Sequence, residues 1–499
     1  MEVVLIYPEF PDTFWSFKHA LQFIQKRASS PPLGLLTVAA MLPETWKLRL
    51  IDLNLRVLSQ QDLADADFVF ISAMTIQRES TYQVLEQCKS AGVKIVAGGP
   101  LFTAEFEQFE MVDHLILNEA ELTLPDFLDD LANGCAKRKY STTAFADIQT
   151  TPVPKWDLID LDDYATMCVQ FSRGCPYNCE FCNVTALFGH RPRTKSAEQI
   201  IAELDGLYQW GWRRAVFFVD DNLIGNKKRL RNELLPALIE WRKDKKGFAF
   251  STEASINLAD DEPLMQMMVT AGFDRVFIGI ETPEEKSLAE CSKKQNLNRD
   301  LIDDVKRIQR FGMQVQGGFI VGFDNDTPFT FQSLIDFIQK SGIVTAMVGL
   351  LQAPPGTRLY ERLQKTGRLH EQMSGDNVDG TTNIIPVMNL DILHAGYRNI
   401  LDHIYSPEAY YERVRTFLQT YKPHKIKVQL SRKYIVEQSV AFMRSILRLG
   451  ILGNERAHYW RLFFWALFRK PALFPQAITF AIYGYHFRQI CELRIQNGL

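Results

Sequence analysis

Short runs of four or five apolar residues recur through the first 120 positions, each followed by a stretch with helical spacing. The runs at 3–7, 48–52, 68–72, 93–97 and 114–117 lack the polar alternation of a half-exposed strand, so they predict parallel strands buried on both faces. Five such strands with helices between them predict an α/β domain built on a doubly wound, five-stranded parallel sheet. Each run ends in residues suited to a ligand crevice: Tyr7-Pro8, Asp52-Leu53-Asn54, Ser72-Ala73-Met74, Gly98-Gly99-Pro100 and Asn118-Glu119. Ligands of such sheets lie beyond the carboxyl ends of the strands. The paired glycines would let backbone approach a bulky ligand closely. FMN, a nucleotide or no ligand at all is equally compatible with the sheet, because fold alone does not choose.

Punctuation by Pro125, Asn133-Gly134, Pro152 and Pro154 marks a connector, with Trp156 expected to pack the junction. Strand and helix patterns then resume. Strands are expected at 168–172, 215–219, 248–252, 275–280, 315–321 and 346–351, with helices at 197–210, 229–241, 263–271, 299–311 and 328–340. Six β/α units are too few for a closed eight-stranded barrel, so a partial (β/α)6 barrel is expected. Polar residues fall where such a fold places function, at the carboxyl ends: Asp220-Asp221-Asn222, Glu253, Glu281-Thr282, Gly322-Phe323-Asp324 and Gln352. A lone strand-end acid is usually a cap for the next helix, but four strand ends sharing the pattern are harder to explain that way. The sequence thus divides into a first domain at 1–135, a connector at 136–165, the barrel at 166–360 and a helical C-terminal region at 361–499. Its tail, from Ser445 onward, interleaves aromatics with Arg and contains no uninterrupted apolar window of membrane-spanning length. Such a stretch suits either the floor of the barrel or a peripheral contact with a membrane interface.

Composition narrows the partners. A net charge of −3 over 499 residues gives no basic field for nucleic acid. The 34 Phe residues suit large cores or an apolar ligand. No signal peptide pattern opens the sequence, and the eight cysteines are scattered apart from one triplet, so a reducing, cytoplasmic setting is expected.

That triplet, Cys175, Cys179 and Cys182, lies in Phe171-Ser-Arg-Gly-Cys-Pro-Tyr-Asn-Cys-Glu-Phe-Cys182. Three thiolates within eight residues of a Gly/Pro loop can converge on one face of an iron–sulfur cube and leave one iron open. A structural zinc site, with Cys168 or His190 as fourth ligand, is the alternative. A solvated loop and a role near an anionic group are evenly matched for the basic cluster at 191–195.

The C-x3-C-x2-C spacing, with Phe181 before the third Cys, resembles the signature of radical S-adenosylmethionine (SAM) enzymes. The upstream sheet, with Pro31-Pro-Leu-Gly34, Gly98-Gly-Pro100 and Glu119-Ala-Glu121, resembles that of the cobalamin-binding class within it. With Val219-Asp-Asp-Asn-Leu-Ile-Gly-Asn226 and the helical tail, nearly the whole sequence is similar to the subfamily that includes hopanoid methylases and the methylases of bacteriochlorophyll side chains. None of the nine histidines has Asp two places before it, so the usual D-x-H cobalt-ligand motif is absent and cobalamin would bind without a protein histidine.

The resemblance implies a [4Fe-4S] cluster on Cys175, Cys179 and Cys182, SAM and cobalamin. It implies SAM contacts from Phe181, Asp220, Asp221, Asn222, Glu253, Glu281, Gly318, Gly322 and Gln352. Among these, the acid after the second barrel strand would meet the methionyl ammonium, and the glycine-rich stretch at 317–322 would lie against adenine. Cobalamin contacts are implied for Asn54, Ser72, Met74, Gly98, Gly99 and Glu119. The implied activity is methyl transfer to an unactivated carbon of a hydrophobic small molecule such as a hopanoid or tetrapyrrole, with an external electron donor such as flavodoxin or ferredoxin. Two alternatives are a non-methylating cobalamin radical SAM cyclisation or oxidation, and a non-catalytic metal-binding or redox-sensing protein.

Overall fold

The computed structural model describes residues 1–245, 247–370, 372–376, 378–423 and 432–496. Its first sheet contains β1 (Glu2–Tyr7), β2 (Lys47–Asp52), β3 (Phe68–Ser72), β4 (Lys94–Gly98), β5 (His114–Ile116) and β6 (Lys139–Tyr140), all parallel, in the order β2-β1-β3-β4-β5-β6. Alternate residues serve opposite layers: Val4, Ile6, Val69 and Ile71 fill one core, while Val3, Leu5, Phe68 and Phe70 fill the other. Burial on both faces is why these runs show no polar alternation; the edge strand β2 is the exception, with Lys47 and Arg49 exposed on either side of half-buried Leu48. The sheet has six strands rather than the five expected. The extra strand is two residues long and belongs to the stretch assigned to the connector, where Leu115 and Ile116 pair with Lys139 and Tyr140.

Because β1 is flanked by β2 on one side and β3 on the other, the chain reverses direction across the sheet there. The carboxyl ends of β1 and β3 bound a topological switch-point crevice, the place where such sheets take ligands. Trp156 is buried and packs the junction as expected. It lies against Gly206 on the helix Ala197–Gln209, and its neighbour Lys155 donates its N–H to the Leu36 carbonyl of the first domain.

The second sheet is the partial barrel: β7 (Met167–Val169), β10 (Val216–Phe218), β11 (Phe250–Glu253), β12 (Phe273–Glu281), β13 (Gln314–Val321) and β14 (Ala346–Leu350), parallel and in sequential order. Between β7 and β10, an antiparallel pair, β8 (Ser172–Arg173) and β9 (Arg193–Thr194), brackets the cysteine loop. On β12, Val276, Ile278 and Ile280 are fully buried under the helices, which leaves Phe277, Gly279 and Glu281 facing the lumen. The β12–β13 register slips between Gly279 and Glu281, and Glu281 takes a left-handed φ of 65°. This bulge re-aims the last side chain of the strand, as bulges beside functional sites do.

The carboxy-terminal helices Leu390–Tyr405, Pro407–Thr420, Arg432–Ser445, Arg456–Arg469 and Phe474–Gln496 gather at the other end of the barrel. Tyr405 Oη donates to the Ala346 carbonyl at the head of β14 (2.6 Å), and Tyr421 Oη to the Gly312 carbonyl just before β13 (3.0 Å). The helices at 390–420 therefore cover the barrel floor, and the last helix packs on them, with Tyr410 Oη donating to the Phe480 carbonyl (2.7 Å). The loop after β1 reaches the same region: Phe14 stacks on Phe487 (4.2 Å between centroids), and Trp15 meets Phe277 edge-on (5.5 Å) with its Nε1 2.9 Å from Met347 Sδ. A residue of the first domain thus fills part of the barrel lumen.

Candidate active site

The site is built where the β8–β9 pair holds the cysteine loop over the carboxyl ends of the barrel strands. Gly174 starts the loop at φ 93°, and a Cβ there would meet the carbonyls of Phe188, Gly189 and Arg191 at 2.9–3.0 Å. Only glycine lets the hairpin close. Cys175 N–H donates to the Gly189 carbonyl and Glu180 N–H to that of Cys291, which fixes both ends of the loop. Glu180 in turn accepts from Nε and Nη2 of Arg362, whose Nη1 donates to Asp324. The helix Arg358–Lys365, which follows Pro354-Pro-Gly-Thr357, thereby braces the loop.

The three cysteines are half-buried free thiols. Burial pushes Cys182 up to about 12 and raises Cys175, with the neighbouring Cys179 adding to each rise and Lys293 opposing it. Thiolates at this depth need a cationic partner, which the irons of a cluster supply. Donors already point at the sulfurs: Asn222 Nδ2 lies 3.8 Å from Cys175 Sγ, Gln295 Nε2 lies 3.7 Å from Cys179 Sγ, and the backbone N–H groups of Tyr177 and Val184 approach Cys175 and Cys182. This donor set fits a thiolate-bound cluster, whose sulfurs take such hydrogen bonds. It does not fit zinc. Cys168 lies apart on β7, hydrogen-bonded to Ser30, and His190 is exposed.

The strand-end acids divide into two kinds. Asp220 is spent on the protein itself, accepting from Phe171 N–H (3.1 Å) and from both the N–H and the hydroxyl of Ser172. It anchors the entry to β8. Asp221 and Glu253 have no side-chain partner among the described residues. Burial raises Asp221 to about 6, and burial with the charges of Asp221 and Asp220 raises Glu253 to about 8. Unpaired carboxyl groups under this strain suit a cationic, hydroxyl-bearing ligand such as SAM.

Glu281 is paired with Lys293 Nζ (2.5 Å), and a Cβ on Gly279 would clash with both ends of this pair. Asn222 Oδ1 accepts from Ser255 N–H (3.3 Å). Phe181 packs with Phe323, Ile320 and Leu351 as an apolar wall. Gly318 makes room for the Phe277 ring, 2.7 Å from where its Cβ would be, and Gly322 needs its φ of 106°. Gln352 Nε2 donates to the carbonyls of Asp376 (3.1 Å) and Thr381 (3.3 Å), while its buried Oε1 has no partner. Lys293, Gln295 and Gly279 carry no distinguishing sequence signal: Lys293 stands beside Lys294 in a polar loop.

The crevice of the first sheet opens toward this rim. Met74, at the end of β3, is exposed, and Ser72 lies beside it. The segment after the barrel covers the crevice, with Arg78 Nη1 donating to the Met373 carbonyl (2.9 Å) and Gln372 bonded to Gln108 (2.8 Å). An exposed methionine and a lid over the switch point suit a bulky ligand with an apolar face. The other expected cobalamin residues are used differently. A Cβ on Gly98 would meet the Ile116 carbonyl at 2.6 Å, and one on Gly99 the Ser72 hydroxyl at 2.8 Å, so packing within the sheet accounts for both glycines. Asn54 bonds to Asp52 (2.6 Å) and accepts from Phe10 N–H (2.9 Å). Glu119 is buried and accepts from Arg173 and Arg193, both at 2.9 Å, while Arg173 also forks onto Glu121 (2.8 and 3.0 Å). These two acids and two arginines tie the end of β5 to the cysteine hairpin. Of the basic cluster, Arg193 and Lys195 are spent on the buried acids Glu119 and Glu203.

Three family descriptions match the chain in succession: B12 binding domain over residues 27–128, radical SAM superfamily over 169–338, and a domain of unknown function (DUF4070) over 357–497. An uncharacterized methyltransferase of Synechocystis sp. is 39% identical, covering 99% of this chain and 92% of its own. The hopanoid C-2 methylase of Rhodopseudomonas palustris is 33% identical, covering 92% and 88%. The cobalamin-dependent SAM radical enzyme OxsB, solved with aqua-cobalamin and SAM bound, shares the fold with a TM-score of 0.63 at 16% identity, covering 99% of this chain and 80% of that one. The chain belongs to the cobalamin-binding radical SAM methyltransferase family. Its cofactors are a [4Fe-4S] cluster, SAM and cobalamin.

Proposed function

We propose that the protein methylates an unactivated carbon of a hydrophobic, polycyclic small molecule, with a hopanoid-like lipid favoured over a tetrapyrrole. The observation that carries this reading is the ion-paired seam of Glu119, Arg173, Glu121 and Arg193, which sets the crevice of the first sheet against the cysteine hairpin. Methyl transfer from cobalt to a substrate radical needs that proximity. The lipid is favoured because a relative named for a hopanoid aligns along 92% of the sequence.

When bound, the cofactors supply the electron that splits SAM, the abstraction of hydrogen and the methyl group. Cys175, Cys179 and Cys182 hold the cluster, and Asn222 and Gln295 donate to its ligand sulfurs. Asp221 and Glu253 receive the ammonium and ribose of SAM, and the wall around Phe181 and Phe323 excludes water. Lys293 pairs with Glu281 and adds positive charge beside Cys179. The electron comes from an external donor of the flavodoxin or ferredoxin type.

The test is an anaerobic assay of the reconstituted enzyme with methyl-labelled SAM, offered hopanoid and tetrapyrrole substrates separately. Labelled lipid product, with 5′-deoxyadenosine and S-adenosylhomocysteine formed together, is expected. Substrate-dependent deoxyadenosine without label in the product would replace methyl transfer by a cyclisation or oxidation, and label only in the tetrapyrrole would overturn the substrate class.

A further inference from the structure

The two helices Arg432–Ser445 and Arg456–Arg469 are joined through a π-helical turn at Ile446–Ile451 and both pack on the last helix, Phe474–Gln496. Their inner sides are held by Phe442 stacked on Phe463, by Phe474 against both, and by Trp460 Nε1 donating to the Gly450 carbonyl (2.8 Å). Their outer sides are apolar and uncovered. Met443 on one helix and Leu447 on the π-helical turn line one side, Phe464, Leu467 and Phe468 line the other helix, and Leu452 stands between them. Leu452 is 70% exposed and Phe468 76%. Phe464 and Phe468 stack on each other in the open, with ring centroids 6.3 Å apart.

Charge distinguishes this face from an ordinary apolar patch. Between residues 439 and 475 there are six basic side chains, Arg444, Arg448, Arg456, Arg461, Arg469 and Lys470, and a single acid, Glu455, which is buried against Arg488. None of the six makes an ion pair among the described residues; Arg444 and Arg448 donate to Gln22 and Phe23, which leaves Arg456, Arg461, Arg469 and Lys470 for the surface. A protein whose overall charge is −3 has gathered an unneutralised positive rim around exposed aromatics. A second copy docking here would set this rim against itself, because a two-fold interface pairs like patches. An anionic lipid surface offers the opposite charge together with an apolar interior for the Phe side chains. No described helix is long and apolar enough to cross a membrane.

We propose that this face docks peripherally on a bilayer leaflet rich in anionic phospholipid, with Phe464 and Phe468 among the acyl chains and Arg456, Arg461, Arg469 and Lys470 at the headgroups. It gives the helical domain of unknown function a role beyond covering the barrel floor. The inference rests on the surface alone and stands whatever substrate the active site takes.

The test is flotation of the full-length, cofactor-loaded protein with vesicles of phosphatidylcholine, alone or with about one third phosphatidylglycerol. The protein is expected to float with the anionic vesicles only, and to be released as salt rises from about 0.1 to about 0.5 M. Arg461→Gln and Arg469→Gln should each weaken partitioning roughly fivefold. The double variant Phe464→Ser/Phe468→Ser should lose it even at low salt. Substrate-free cleavage of SAM should be unchanged in every variant, which shows that the barrel is folded. Three results would overturn the proposal: no flotation of the wild type, equal flotation with neutral vesicles, or a wild-type dimer in solution that Phe464→Ser/Phe468→Ser splits.

Discussion

Arg173→Gln removes the guanidinium that forks onto Glu121 and shares Glu119 with Arg193. Both carboxylates lie in the interior, with side chains 6% and 2% exposed. Removing one partner of a buried pair costs about 3–5 kcal/mol, mostly through the charge left behind. Glu119 keeps Arg193 and the Ala146 N–H, so the loss falls mainly on Glu121, and about 3 kcal/mol is the working figure. At about 2–4 °C per kcal/mol for a cooperative unit the size of the barrel domain, the transition of that domain in the cofactor-loaded protein should fall by roughly 6–12 °C. Cobalamin and cluster should also be lost together on gel filtration, because the seam joins their two sites. Arg173→Lys should recover only part of the effect, since an ammonium cannot fork. The double variant Arg173→Gln/Glu121→Gln should recover most of it, because no unpaired charge remains. Burial raises the Glu121 carboxyl but Arg173 outweighs it, so its folded pKa lies below the ordinary carboxylate value. The stabilisation is therefore present above the unfolded pKa and lost as pH falls through the depressed folded one, so the gap between wild type and Arg173→Gln should narrow in acid. A variant that melts within about 1 °C of wild type at neutral pH and retains both cofactors would refute the reasoning.

Cys175→Ala, Cys179→Ala and Cys182→Ala should each abolish 5′-deoxyadenosine formation, and full activity in any one would remove the cluster assignment. Gln295→Leu deletes the amide donor 3.7 Å from Cys179 Sγ and should lower the cluster midpoint potential by on the order of tens of millivolts, read by redox titration with EPR. Burial holds His486 down at about 4. Its surroundings are the Phe14 carbonyl, which its Nε2 meets at 3.0 Å, together with His19 and Asp12. The unfolded protein takes up this proton near pH 6.5 and the folded protein only near 4. This residue should therefore withdraw about 3 kcal/mol of stability as pH falls across that window. Melting curves of His486→Gln should lack the corresponding steepening.

The strands were legible because a sheet buried on both faces writes itself as apolar runs, and β1 to β5 each have one. β6 left no such mark: it is two residues in the charged stretch Lys137-Arg-Lys-Tyr140, held by its pairing with β5 and by Tyr140, whose ring packs on Phe127 and whose hydroxyl donates to Asp130 (2.9 Å). The cysteine triplet was legible because spacing along a short loop already constrains where three sulfurs can go. The acids were legible in kind and not in role. Asp220 and Asp221 are adjacent, so their side chains leave the backbone on opposite sides, one toward Ser172 and the other toward the lumen. No composition distinguishes them. Nor does it distinguish Lys293 from Lys294, or tell that Gly98 and Gly99 are also small because a Cβ would meet Ile116 and Ser72.

Trp15 stands in the barrel lumen against Phe277 and Met347, yet it belongs to the loop that leaves β1. The room left inside the barrel is thus measured out by a segment that carries neither the cluster ligands nor the strands of the barrel. Lengthening or shortening residues 8–17 would resize the chamber while every cysteine and carboxylate stayed in place. Within this architecture, a lineage could move between bulky and slender substrates by editing one loop, without re-evolving its radical chemistry.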